Sequence, residues 1–318
     1  MTNIRIESYS EAHKRAWDSF VDAAKNGVFL FKRDYMNYHA ERFPDASLMF
    51  FFDDSDELIA VLPATSSDGE VLSSHAGLTF GGIVSGNAMK IASMLNVFDV
   101  MVTHARQAGF KRLIYKAVPH IYHRAPAEED LYALFRHDAR LVRRDVSATI
   151  DMRERLPFGK GRKWALKQAK KAGLEVGRSF DFATFMSIEE QLLDDKYGAR
   201  PVHSVGEIEL LASRFPDNIK LFAARCGEAM LAGVVIYENA EVAHAQYIGT
   251  SEEGRRSCAL DLIMDHLIND YYALKRYFDF GISTENGGRH LNIGLAENKQ
   301  SYGARAVVYD FYELDLST

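Results

Sequence analysis

Cysteine is nearly absent. The 318 residues carry two, Cys226 and Cys258, too few and too far apart for a disulfide framework or a metal-ligand spacing. A reducing compartment is the expectation. Long hydrophobic runs are missing too: no stretch approaches the ~18 apolar residues of a membrane span. The opening residues, MTNIRIESYSEAHKRAW, place charges where a signal peptide needs an apolar run. The expected location is the cytosol, with no transmembrane segment. Excess positive charge is also lacking, with 44 Asp and Glu against 38 Lys and Arg and a formal net charge of −6. That argues against a general nucleic-acid binder, without excluding a local basic patch. The sequence has no P-loop, no nucleophile elbow and no zinc signature, so no metal is expected.

What is present is an ordinary globular composition, 47% apolar and 26% charged, in a chain long enough for two domains. Apolar residues at helical spacing, Ile91, Met94, Leu95, Phe98, Met101, Val102 and Ala105, predict a long helix. Leu260, Ile263, Met264, Leu267 and Tyr271 predict another in the second half. Strands are expected at Leu48–Phe52 and Leu58–Ala64, joined by an acidic turn at residues 53–56, then at Glu70–Ser74, Leu78–Val84 and Lys111–Val118. The second half repeats this order with Ile219–Arg225, Ala229–Glu238, Glu241–Ile248 and Arg276–Phe280, and Val307–Glu313 closes the chain. Leu58–Leu62 answers Met230–Val234, and Phe110–Tyr115 answers Leu274–Asp279. The offsets of roughly 164 to 172 residues define a domain-sized repeat. The expected architecture is α/β (α+β) in two similar domains, 1–150 and 151–318, each a mixed, mostly antiparallel sheet flanked by helices.

Three stretches then suggest a family. They are the basic segment Gly161–Val176 (GRKWALKQAKKAGLEV), the strand Tyr277–Gly281 (YFDFG), and Gly294–Ala304 (GLAENKQSYGA) with its Lys299-x-x-Tyr302-Gly303. Their order resembles the Gcn5-related acetyltransferase (GNAT) fold, doubled as in the Fem-like (FemAB/FemX-related) acyltransferases. The resemblance implies transfer of an acetyl or aminoacyl group to an amine acceptor such as an amino sugar or cell-envelope precursor. Acetyl-CoA or another acyl-CoA is the first expected donor. Aminoacyl-tRNA is the alternative, and a non-catalytic binding protein retaining the fold is a third reading. The resemblance also implies that Lys299 stabilises the oxyanion of acyl transfer.

The loop in the coenzyme A position reads Gly249–Ala259 (GTSEEGRRSCA). Gly254 permits close backbone approach, Arg255 and Arg256 can meet phosphate, and Cys258 sits in the same turn, where a helix start lowers a thiol pKa. Ser257 joins that donor-binding set or caps the helix instead. Asp279 and Glu285 stand at a strand end and in the loop after it. Either carboxylate can receive the proton of the attacking amine, and either can instead hold the Gly287-Gly288 turn; Glu285 is the catalytic candidate, and Asp279 is a substrate contact or a structural residue. His75, Tyr122, Tyr197 and His203, in polar loops rich in aromatics, are candidate acceptor contacts. Lys160, Lys163, Lys167 and Lys170 recur on one helix face, with no acid from 159 to 171. That stripe is a candidate tRNA contact or a solvated face, with Trp164 as a base-stacking residue or a core anchor.

Overall fold

The structure is a computed structural model that describes residues 3–198 and 200–317, without the side chains of residues 195–197. The chain divides into two compact units. One comprises Met1–Asp145, Glu285–His290 and Val308–Thr318, the other Val146–Thr284 and Leu291–Val307.

In the first unit, β1 (Ile4–Ser8), β2 (Leu48–Phe52), β3 (Glu57–Leu62) and β6 (Val84–Ser85) form an antiparallel sheet. Phe52 pairs with Glu57 across the acidic turn, as the sequence predicts. A second set joins β4 (Thr65–Ser67), β5 (Val71–Ser73) and β7 (Arg112–Lys116). β5 and β7 are parallel, so the chain must cross over between them. It does so through the 17-residue helix α3 (Ile91–Gln107), whose Met94, Phe98, Met101 and Ala105 are buried in the core. Three shorter helices, α1 (Lys14–Ala23), α2 (Arg33–Met36) and α4 (Glu129–Arg136), complete the unit. Residues 78–83 are not strand. Gly81 N donates to Lys116 O, and Ile83 N to Tyr115 Oη at 2.7 Å, so an irregular path satisfies this buried backbone. The C-terminal strand (Arg305–Asp315) lies in sequence with the second half, yet Phe311–Asp315 pairs with β7 and completes the first unit.

The second unit repeats the plan. Residues 146–151 of β8 (Arg140–Asp151), then β13 (Tyr277–Ile282), β12 (Val242–Thr250), β11 (Ala229–Glu238), β10 (Ile219–Cys226) and β9 (Glu175–Ser179) lie side by side. Only β12 and β13 are parallel. Their crossover is α8 (Glu252–Arg256) followed by α9 (Ala259–Asp265), which runs on to Tyr271 as a π-helical turn. β11 reads AMLAGVVIYE and is buried over eight consecutive residues, the mark of a strand covered on both faces. α5 (Lys160–Lys171) packs on α9, and α6 (Phe182–Tyr197) on β11, β12 and α7 (Val205–Arg214). α10 (Ile293–Gln300) follows β13. Among the described residues no helix is long and apolar enough to cross a membrane.

Candidate functional site

β12 and β13 hold their parallel register for three residue pairs, Val242–His244 against Tyr277–Asp279. β12 then continues to Thr250 without its partner, and the strand ends diverge. Ile248 and Thr250 of β12 and Phe280 of β13 line the resulting cavity of about 670 Å³, a size suited to a small-molecule ligand. The cavity belongs to the second unit. α6 supplies Glu189, Leu192 and Leu193, α9 supplies Leu260, Asp261 and Met264, and α10 supplies Leu295, Asn298 and Lys299.

Lys299 is held by a helix that the sequence reading leaves as loop. Asn292 Oδ1 accepts from Leu295 N at 3.0 Å and starts α10. Near its end, Lys299 Nζ donates to Gly281 O at 2.9 Å and Ile282 O at 2.6 Å. An ammonium has three donors, so one N–H is left beyond these two bonds. Burial lowers the Lys299 pKa to about 8, against the opposing pull of Asp279.

Asp279 lies under this site, fully buried. It accepts from Ser147 Oγ (2.5 Å), Thr149 Oγ1 (2.7 Å) and His244 Nδ1 (2.6 Å). Burial raises its pKa, but the bond and charge of His244 and the two hydroxyls outweigh it, and the carboxyl stays below its usual range. The residue is a buttress for β13 and does not line the cavity.

A second polar cluster enters from α5. Arg162 Nη1 donates to Asp261 Oδ1 at 2.9 Å and Nε to Ser301 Oγ at 2.7 Å, and the guanidinium sits 4.3 Å from the Tyr302 ring centroid. Tyr302 Oη donates to the same Asp261 oxygen at 3.2 Å. Burial, then Asp261, raises the Tyr302 pKa, which keeps the phenol neutral. Arg162 falls within the basic segment Gly161–Val176. Its spacing to Ala165 and Ala169, both buried, marks the inward face.

Glu189 is the functional candidate that the sequence reading missed. It shares a face of α6 with the buried Phe182, Phe185 and Met186. A carboxylate at that phase is the readable signal. The residue is 6% exposed, and Oε2 has no hydrogen-bond partner among the described residues. Burial pushes its pKa up to about 7. Gly249 on β12 makes room for it, since a Cβ there would stand 2.9 Å from Glu189 Oε2 and 3.1 Å from Phe185 Cε2.

Of the donor-loop residues, Gly254, Arg255 and Cys258 line the cavity; Arg256 and Ser257 do not. Gly254 is glycine for packing, because a Cβ there would run into Leu231 O. Its N–H donates to Ser251 Oγ at 3.0 Å. Ser251, not Ser257, therefore caps α8, and Ser257 Oγ donates back to Glu253 O. Arg255 Nη1 reaches Thr250 O, and Arg256 pairs with Glu252 at 3.6 Å. Cys258 joins α8 to α9 at φ 57. Burial and then Asp261 raise its thiol pKa, the opposite of the sequence expectation, because no cation outweighs them.

The candidate acceptor contacts do not assemble here. His75 is buried in the first unit, and burial, with His39, Lys116 and Arg33 nearby, lowers its pKa to about 3. Tyr122 is buried in the same unit, its Oη 3.2 Å from that of Tyr309. His203 packs edge-on against Tyr247, with Nδ1 2.6 Å from its hydroxyl. Tyr122 and His203 are bonded core residues, and His75 packs edge-on against His39. Glu285 is exposed at the end of β14 (Thr284–Glu285) and belongs to the first unit. The side chain of Tyr197 lies outside the described residues. Lys160, Lys163, Lys167 and Lys170 are exposed on α5, as is Trp164 at 62%, which is no core anchor.

Residues 160–287 match the family described as acetyltransferase (GNAT) domain. No curated protein matches the sequence. Among solved structures, FemX is 10% identical over 98% of both chains with a TM-score of 0.70. A conserved protein of unknown function from Bacteroides thetaiotaomicron is 10% identical over 98% of this chain and all of its own, TM-score 0.60. L-PGS from Bacillus licheniformis is 12% identical over 90% of this chain and 92% of its own, TM-score 0.58. At such identities the likeness concerns the fold. The fold is the Fem-like form of GNAT. The segment that matches the acetyltransferase (GNAT) domain holds most of the cavity's lining.

Proposed function

We propose that the protein is an N-acyltransferase that moves an acyl group from an acyl thioester, acyl-CoA in the first instance, to a primary amine. An amino sugar or a cell-envelope precursor is the expected acceptor. The observation that carries this reading is the opening between β12 and β13, about 670 Å³ in volume with Lys299 in its wall. The amine nitrogen attacks the acyl carbonyl, the carbonyl electron pair moves onto oxygen, and the C–S bond breaks as the pair returns. In this reading the third N–H of Lys299 bonds the developing oxyanion. Positioning supplies much of the rest. The α8 loop is not a glycine cradle for a diphosphate, because Gly254 is packed on Leu231. Arg255, which lines the cavity, is the cation best placed for the donor's phosphates. Calorimetric titration with acetyl-CoA tests the reading. Binding that weakens at least tenfold in Arg255→Ala supports it; no heat from acetyl-CoA overturns the thioester donor.

A second reading, aminoacyl-tRNA as donor, is favoured by Trp164. Its ring is exposed among exposed Lys160, Lys163 and Lys167, the combination that stacks bases and neutralises phosphates. Salt-sensitive tRNA binding that disappears in a Lys163→Gln, Lys167→Gln double variant would select this donor.

A further inference from the structure

The acyl-transfer reading leaves the amine's proton without a destination, and the sequence candidate Glu285 is exposed on a unit that does not hold the cavity. Glu189 lines that cavity, is 6% exposed, and its Oε2 accepts no hydrogen bond from any described residue. An orphaned buried carboxylate oxygen destabilises the fold unless a ligand uses it. Gly249 and Gly233 both lack the Cβ that would push α6 off the sheet, so the backbone is shaped to keep Glu189 where it is.

We infer that Glu189 is the proton acceptor for the attacking amine. The inference rests on the acyl-transfer reading. As the N–C bond forms, the ammonium proton passes to Oε2. The C–S bond then breaks, the thiolate takes up one proton through solvent, and Glu189 releases its own, returning to carboxylate. The titratable groups that share the cavity are Arg162, Arg255, Cys258, Asp261, Lys299 and Tyr302. Those of the packed elements are already engaged or exposed. On β12, His244 is bonded to Asp279 and Tyr247 to His203; on β11, Glu238 is bonded to Lys220 and Lys275. On α7, Glu207 caps Ser204, and Glu209 and Arg214 are exposed, as are Glu190 and Asp194 on α6 itself. Burial is what raises the Glu189 pKa, so the carboxyl suits a base working near neutrality.

The test uses the full chain labelled with ¹³C at glutamate carboxyls, with acetyl-CoA as donor probe and n-butylamine and glucosamine as acceptor probes. The Glu189 resonance is assigned by its loss in Glu189→Gln. It is expected to titrate near pH 7 and to shift when an amine is added. Transfer should rise with pH through the same midpoint, and Glu189→Gln should lose about 10²–10⁴-fold in rate and lose that limb, with acetyl-CoA affinity unchanged. A midpoint in the ordinary glutamate range, a resonance indifferent to both amines, or an unchanged pH limb in the variant overturns the inference. Failure to bind acetyl-CoA counts against the thioester donor alone, because the carboxyl titration and its response to amine still decide the role of Glu189.

Discussion

Glu189→Gln should stabilise the protein, and by an amount that depends on pH. The folded pKa of about 7 lies above the ordinary 4.5. The folded state therefore holds a proton that the unfolded chain has released between those two values. Stability falls as pH rises through that window and is lowest above it. At 1.36 kcal/mol per unit, the carboxyl costs the fold just under about 1 kcal/mol at pH 5 and about 3 kcal/mol at pH 8. Glutamine cannot ionise, so it removes the part that varies and leaves a constant offset from its amide. Every other titration is common to both proteins and cancels in the difference. Differential scanning calorimetry at pH 5 and pH 8 reads the effect. For a unit of this size, the variant's advantage in Tm should widen by about 5–10 °C between the two. A difference that stays flat with pH would mean that Glu189 ionises equally in both states, and the reasoning from its burial would be wrong. A residue that lowers stability where it raises activity is what a functional acid in an apolar wall predicts.

Lys299→Met should cost about 10²–10³-fold in turnover. Because the ammonium is present below its pKa of about 8, the wild-type rate should fall above that pH, and the variant's pH–rate profile should lack this alkaline limb. Gly249→Ala should destabilise by about 1–3 kcal/mol in urea titrations. By pushing Glu189 Oε2 toward solvent, it should also move the acidic limb of the pH–rate profile down toward the ordinary glutamate range. Asp279→Asn should cost about 3–5 kcal/mol, since it breaks the buried contact with His244; urea midpoints check it, and acetyl-CoA affinity should hold in the protein that folds.

The strands were legible wherever the pattern was strong. Ala229–Glu238 has the predicted bounds because a doubly covered strand is apolar throughout. Residues 78–83 were expected as strand but form none, since Gly81 and Gly82 let them follow Tyr115 and Lys116 instead. α10 carried no periodic signal: Ile293 is 63% exposed, and the helix owes its place to the Asn292 cap and the Lys299 latch. Only the family resemblance pointed to Lys299.

The misplaced acceptor contacts Tyr122 and His203 share one cause. Histidines and tyrosines in aromatic-rich loops look like ligand contacts, yet a tyrosine or histidine that finds a partner is simply a packed residue, as Tyr122 with Tyr309 and His203 with Tyr247 demonstrate. The residues that do meet in the cavity carry the opposite signature. Arg162 falls in phase with Ala165 and Ala169, and Glu189 with Phe185 and Met186. A charge on the buried face of an amphipathic helix either finds a partner inside, as Arg162 finds Asp261, or waits for one from outside. Glu189 is the second kind, and that is why its unpaired oxygen, more than any motif, marks where the amine must come.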